Sequence, residues 1–164
     1  MRTLALIAAA ALGASAQAAI VNFTASLSPL QEVPPNTSPA FGHGDLAFDT
    51  VALTFTFNLS VHDLTASILA SHIHQAPAGT NGPVIFNIGN ASVYTPIGAN
   101  EFTVSGSGSF TASQAAALLN EGLYFNVHTS NFPGGEIRGQ IVPAPGAAGL
   151  LALAGVAGLR RRRR

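Results

Sequence analysis

Val51-Ala-Leu-Thr-Phe-Thr-Phe-Asn-Leu-Ser-Val61 decides the fold. Val51, Leu53, Phe55, Phe57, Leu59 and Val61 alternate with Ala52, Thr54, Thr56, Asn58 and Ser60. That period of two turns one face of a strand to a core and the other to water. Leu46 and Phe48 extend the pattern upstream of Asp49-Thr50, so strands over 41–49 and 51–61 are expected to form a hairpin. Further out, Val21 to Ser28 and Phe102 to Phe110 alternate as well, with Gly106 and Gly108 expected to mark a bulge or a close backbone approach. Leu123, Phe125 and Val127 share a face opposite Tyr124, Asn126 and His128, and Ile137 and Ile141 oppose Glu136, Arg138 and Gln140. One helix breaks the series. Thr111-Ala-Ser-Gln114 fits a capping box, Ala115 to Leu119 favour helix, and Gly122 suits a left-handed stop. Short strands joined by glycine- and proline-rich turns predict an all-β domain. The expected form is an antiparallel β-sandwich or flattened barrel, Greek-key-like, with one short crossover helix.

Charge is distributed unevenly. The 164 residues include no cysteine, which excludes a disulfide framework and thiolate metal sites. Every basic residue is an arginine: Arg2, Arg138, and Arg160 to Arg164. All seven acids lie between the ends, so the middle of the chain is acidic and lacks the basic face a nucleic-acid binder needs.

Both ends carry targeting signals. Arg2, the apolar run Leu4 to Leu12 and the small residues Ala14-Ser-Ala16 and Ala16-Gln-Ala18 form a secretory signal peptide over residues 1–18, a substrate for signal peptidase. At the other end, Val142-Pro143-Ala144-Pro145 is expected to break the last strand. An apolar stretch follows over 146–159, then Arg160, Arg161 and three more arginines. Fourteen helical residues rise roughly 21 Å, short of a hydrocarbon core of about 30 Å, so this is a transient transmembrane helix rather than a permanent anchor. The layout over 143–164 resembles a bacterial PEP-CTERM sorting tail, although Ala144 stands where that tail has glutamate. The resemblance implies processing by an exosortase-like enzyme and delivery to the cell envelope, the surface or the medium.

The remaining chemistry lies in histidines. His72 and His74 are two apart, so on a strand they leave the same face. His128 occupies the polar face of a later strand. Three imidazoles can supply three nitrogens at ~2.0–2.1 Å to copper or zinc and leave a position open. The alternative is structural: buried histidines bonded to carbonyls or to a carboxylate such as Glu136. His62 falls on the polar side of its strand and is expected to be solvated, and His43 stands between glycines. Glu136 and Arg138 are expected to form a structural salt bridge, and Glu32 an end-of-strand contact. No nucleophile triad, phosphate loop or catalytic carboxylate pair stands out, so no catalytic residue is assigned.

Several segments then form one pattern: Leu27-Ser-Pro-Leu-Gln-Glu-Val-Pro-Pro35, Gly42-His-Gly44, His72-Ile-His74 leading into Asn81-Gly-Pro-Val84, and Pro133-Gly-Gly-Glu-Ile-Arg-Gly-Gln-Ile141. Residues 22–142 resemble the CHRD domain, first described in chordin and common in exported bacterial proteins. The resemblance implies an extracellular β-sandwich over 19–142. The expected function is a non-enzymatic surface or matrix component that binds an envelope polysaccharide or a protein. The alternative is a histidine metal-binding domain, redox-active if it holds copper.

Overall fold

A computed structural model describes residues 19–146. The expected signal peptide at 1–18 and most of the expected sorting tail, including Arg160 and Arg161, lie outside the described residues. The chain forms β1 (Ile20–Leu27), β2 (Phe41–Asp49), β3 (Thr54–His62), β4 (Ile68–Gln75), β5 (Val84–Gly89), β6 (Thr95–Gly98), β7 (Glu101–Ser109), α1 (Ala112–Leu119), β8 (Leu123–Thr129), β9 (Ile137–Gln140) and β10 (Val142–Pro143). These make two antiparallel sheets, β10-β1-β2-β3-β7-β6 and β5-β4-β8-β9. Both sheets are open, so the molecule is a sandwich and not a closed barrel.

The apolar faces read from the alternation form the core. Phe55, Phe57, Leu59 and Val61 of β3 are buried, as are Phe23 of β1 and Leu46 and Phe48 of β2. Ile73, Phe125 and Val127 meet them from the smaller sheet, and the rings of Phe57 and Phe125 lie 6.2 Å apart across the interface. Each such side chain contributes ~1.5–3 kcal/mol on burial. At Gly44 of β2 the sheets come so close that a Cβ would stand 2.8 Å from the Phe125 ring. The sheets also join at one corner, where Ser28 and Arg138 exchange backbone hydrogen bonds of 2.9 and 3.3 Å.

Several local expectations change. The β3 strand begins at Thr54 rather than Val51, because Asp49 Oδ1 accepts from the Val51 and Ala52 amides and holds them in a turn. Gly106 and Gly108 mark no bulge, since β3 and β7 pair one to one; their missing side chains leave room for the Phe57, Phe55 and Phe86 rings. The capping box of Thr111 and Gln114 forms, but the left-handed residue after α1 is Glu121, with φ +55°, and not Gly122. Val142 and Pro143 do not end the sheet. They pair with Thr24 and Phe23 as β10, and the Ala144 amide donates to Asn22 O at 2.9 Å.

One feature of β8 positions the site. Leu123 to Val127 are all buried, so the outer face of this inner strand is covered as well as its core face. Over Tyr124 the cover is the loop after β4, through Pro77, Thr80, Asn81 and Gly82, which is hydrogen-bonded to the Tyr124 hydroxyl and to Arg138.

Candidate metal centre

On the outer face of the smaller sheet, His74 of β4 pairs with Tyr124 of β8, His72 with Asn126, and Ala70 with His128. Because side chains alternate, His72, His74, Tyr124, Asn126 and His128 emerge on one side. The structure brings the three expected histidines together: one ring nitrogen from each lies within 4.8 Å of the others. His72 Nδ1 and His128 Nε2 are 3.3 Å apart. Two nitrogens held ~2.0–2.1 Å from one tetrahedral ion stand about 3.3–3.4 Å apart, so this pair is already at ligand spacing. Three donors no more than 4.8 Å from one another all lie within about 2.8 Å of a common point. Shifts of less than about an ångström per ring then bring all three nitrogens to bonding distance.

Second partners fix two of the rings. His74 Nδ1 donates to Gly82 O at 2.9 Å, and His128 Nδ1 donates to Pro133 O at 3.0 Å. With those protons placed, Nε2 is the bare nitrogen of each neutral ring. A ligating histidine is commonly held in this way, its other N–H spent on a carbonyl. Without an ion, His128 Nε2 accepts from His72 Nδ1–H; with one bound there, that proton moves to His72 Nε2 and leaves Nδ1 free to ligate. His74 Nε2 is buried with no hydrogen-bond partner. An orphaned buried acceptor costs about 1–3 kcal/mol, and an ion would satisfy it.

Burial disfavours charge on all three rings and is the main cause that lowers each pKa below the usual imidazole range. Neighbouring charge adds to it: His128 and His74 act on His72, Arg138 on His74, and His74 on His128. Neutral imidazole is the form that binds metal.

Tyr124 and Arg138 extend the site. The His74 and Tyr124 rings are stacked 4.9 Å apart at an interplanar angle of 7°. Arg138, from the strand on the other side of β8, places its guanidinium carbon 3.4 Å from the Tyr124 ring centre. The phenol is thus held between an imidazole and a guanidinium. Arg138 also fastens the covering loop: its Nη atoms donate to Thr80 O at 2.8 Å and to Pro77 O at 3.2 Å. The Gly82 amide donates to the Tyr124 hydroxyl at 3.1 Å. A side chain at Gly82 would overlap the Gln75 carbonyl, which is why glycine stands where the loop turns back onto His74.

The expected Glu136–Arg138 salt bridge does not form. Glu136 is fully buried and accepts from Ser38 Oγ (2.7 Å), Thr65 N (2.9 Å) and Thr129 Oγ1 (2.6 Å). It satisfies loops from distant parts of the chain, and Arg138 is satisfied by neutral oxygens. Nor does Glu136 touch the histidines. Glu32 is buried after the first 3-10 turn, with Oε1 unpartnered, and burial pushes its carboxyl up to about 7 against the opposing pull of Arg138. His62 is less solvated than expected: it stacks on Phe41 and sits 3.5 Å from Glu101. His43 is exposed on the larger sheet beside Asp45 and takes no part in the cluster. Of the residues expected to belong to the sorting motif, Val142 and Pro143 lie in β10 and Pro145 follows it.

Sequence reasoning missed Tyr124, Asn126 and Gly82 as members of the site. The signal for the first two was present, since they share the polar face of His128. Among known families, the CHRD domain profile matches residues 23–141. No curated protein and no solved structure matches the chain.

Proposed function

The chain belongs to the CHRD domain family, and from that premise we propose that it is an exported surface or matrix component that binds a transition-metal ion, copper or zinc, through His72, His74 and His128. The observation that carries the reading is the buried, unpartnered Nε2 of His74 beside a histidine pair already at ligand spacing. Three nitrogen donors suit zinc and copper, and the carbonyls of Gly82 and Pro133 hold two of the rings in the metal-ready tautomer. Copper would make the centre redox-active.

The order of the chain supports export: a charged start, an apolar run and small residues at 1–18, then the apolar stretch and arginines at the end. In this reading signal peptidase removes the leader, and an exosortase-like enzyme acts near Pro143-Ala144-Pro145 while the tail is in the membrane. The mature domain then meets an envelope polysaccharide or protein. Among the described residues no helix is long and apolar enough to cross a membrane.

The test is calorimetric titration of the chelator-stripped protein with zinc and with copper(II). One ion per chain is expected. His74→Ala and His128→Ala should each weaken uptake by more than the 10–100-fold typical of losing an outer-shell partner. A folded wild-type chain that takes up neither ion refutes the metal reading. N-terminal sequencing of exported protein tests the leader, and a start at Met1 refutes it.

A further inference from the structure

Resting on that reading, the geometry points to a fourth coordination position that stays open at Asn126 and holds a water exchangeable for a small anion. Asn126 is 5% exposed, and its Oδ1 has no hydrogen-bond partner. It stands between His72 on β4 and Arg138 on β9 in one row of the sheet, two residues along β8 from His128 on the same face. A buried amide oxygen without a donor is uncommon and calls for one. A water bound to an ion at the histidines supplies it, because binding polarises the water's O–H bonds.

Charge selects what replaces that water. Three neutral imidazoles leave the ion's charge uncompensated. Arg138, the single arginine among the described residues and 1% exposed, adds a positive charge whose hydrogen bonds all go to neutral oxygens. Burying two cations together is costly unless an anion joins them. Glu32, a carboxyl that acts on Arg138, is itself pushed towards its neutral form by burial. A small anion on the ion therefore balances the group better than a fourth neutral ligand. A cleft of about 450 Å³ lies beside His72, bordered by Asn87, Asn90 and Ser92.

The experiment loads the full chain with cobalt(II), measures cobalt stoichiometry, and then titrates with azide while following the visible absorption. One cobalt per chain and a saturable spectral change with azide are expected. Asn126→Ala deprives the competing water of its acceptor, so azide should bind about fivefold tighter, the equivalent of one ordinary hydrogen bond. Asn126→Asp keeps the size but places a negative charge at the position, and azide should bind at least tenfold more weakly. A cobalt-loaded chain whose spectrum ignores azide has a closed centre, which overturns this inference and leaves the metal reading standing. Azide affinity unchanged in both variants, each folded by circular dichroism and cobalt-loaded, overturns the role of Asn126. Failure to bind cobalt, zinc or copper defeats the metal reading itself and this inference with it.

Discussion

Replacing Glu32 by Gln should stabilise the protein above neutral pH and leave it nearly unchanged in acid. The carboxyl is 5% exposed, its Oε1 has no partner, and both oxygens lie against the α-carbon of Gly135, where a Cβ would be 2.6 Å away. Burial, only partly offset by Arg138, raises its pKa from 4.5 to about 7. The folded state therefore holds this proton more tightly than the unfolded chain does. Stability from this group is fully present below pH 4.5, falls as pH rises through about 7, and is flat above. A shift of about 2.5 units at 1.36 kcal/mol each corresponds to a ceiling near ~3 kcal/mol. Glutamine keeps the shape and cannot ionise, so its advantage should be close to zero at about pH 4 and reach ~1–3 kcal/mol at about pH 8. With a urea m-value of ~1–3 kcal/mol/M, the midpoint should rise by about 1 M at the higher pH. Histidine titrations act in the opposite direction, but they are common to both proteins and cancel in the difference. Urea melts of both proteins at the two pH values read it directly. An equal difference at both pH values, or a loss on substitution at pH 8, would show that the carboxylate is solvated or paired, and the reasoning would fail.

Three further outcomes follow from the same geometry. Gly82→Ala should push the loop carbonyl off His74 Nδ1 and weaken zinc binding 10–100-fold by calorimetry, whereas unchanged affinity would show that the carbonyl does not orient the ring. In the metal-free Glu32→Gln protein, where that carboxyl no longer titrates, stability should fall as pH drops below about 6.5, because the unfolded histidines take up protons that the depressed folded ones refuse; a flat urea-stability profile of this variant from pH 7 to 5 contradicts this. A chain ending at Ile141 should melt below one ending at Gly146, by roughly 1–3 kcal/mol for the lost β10 ladder, and identical melts would show that β10 contributes nothing.

What was legible in the sequence was what side chains encode locally. Alternation in Phe55 to Val61 gave the buried face, Thr111 and Gln114 gave the helix start, and His-Ile-His with His128 gave the members of the cluster. The missed features rest on backbone groups and on distant register. Arg138 is held by the carbonyls of Pro77 and Thr80, and a carbonyl has no residue identity to read. Glu136 takes its donors from Ser38 and Thr65, 98 and 71 residues away, so its expected bridge to a near neighbour lost to partners that only the closed sandwich supplies. Likewise Leu53 and Glu121 adopt positive φ without being glycine, a strain set by the turns around them. Asn126 reads like any polar strand residue, and only its neighbours in the folded sheet bury it.

The stack at Tyr124 has a practical consequence. The chain has no tryptophan and two tyrosines, so its intrinsic ultraviolet fluorescence comes from Tyr94 and Tyr124 alone. One of these emitters lies face to face with His74. The protein thus carries its own optical reporter beside the histidine cluster, and occupancy there can be followed by tyrosine emission without a label.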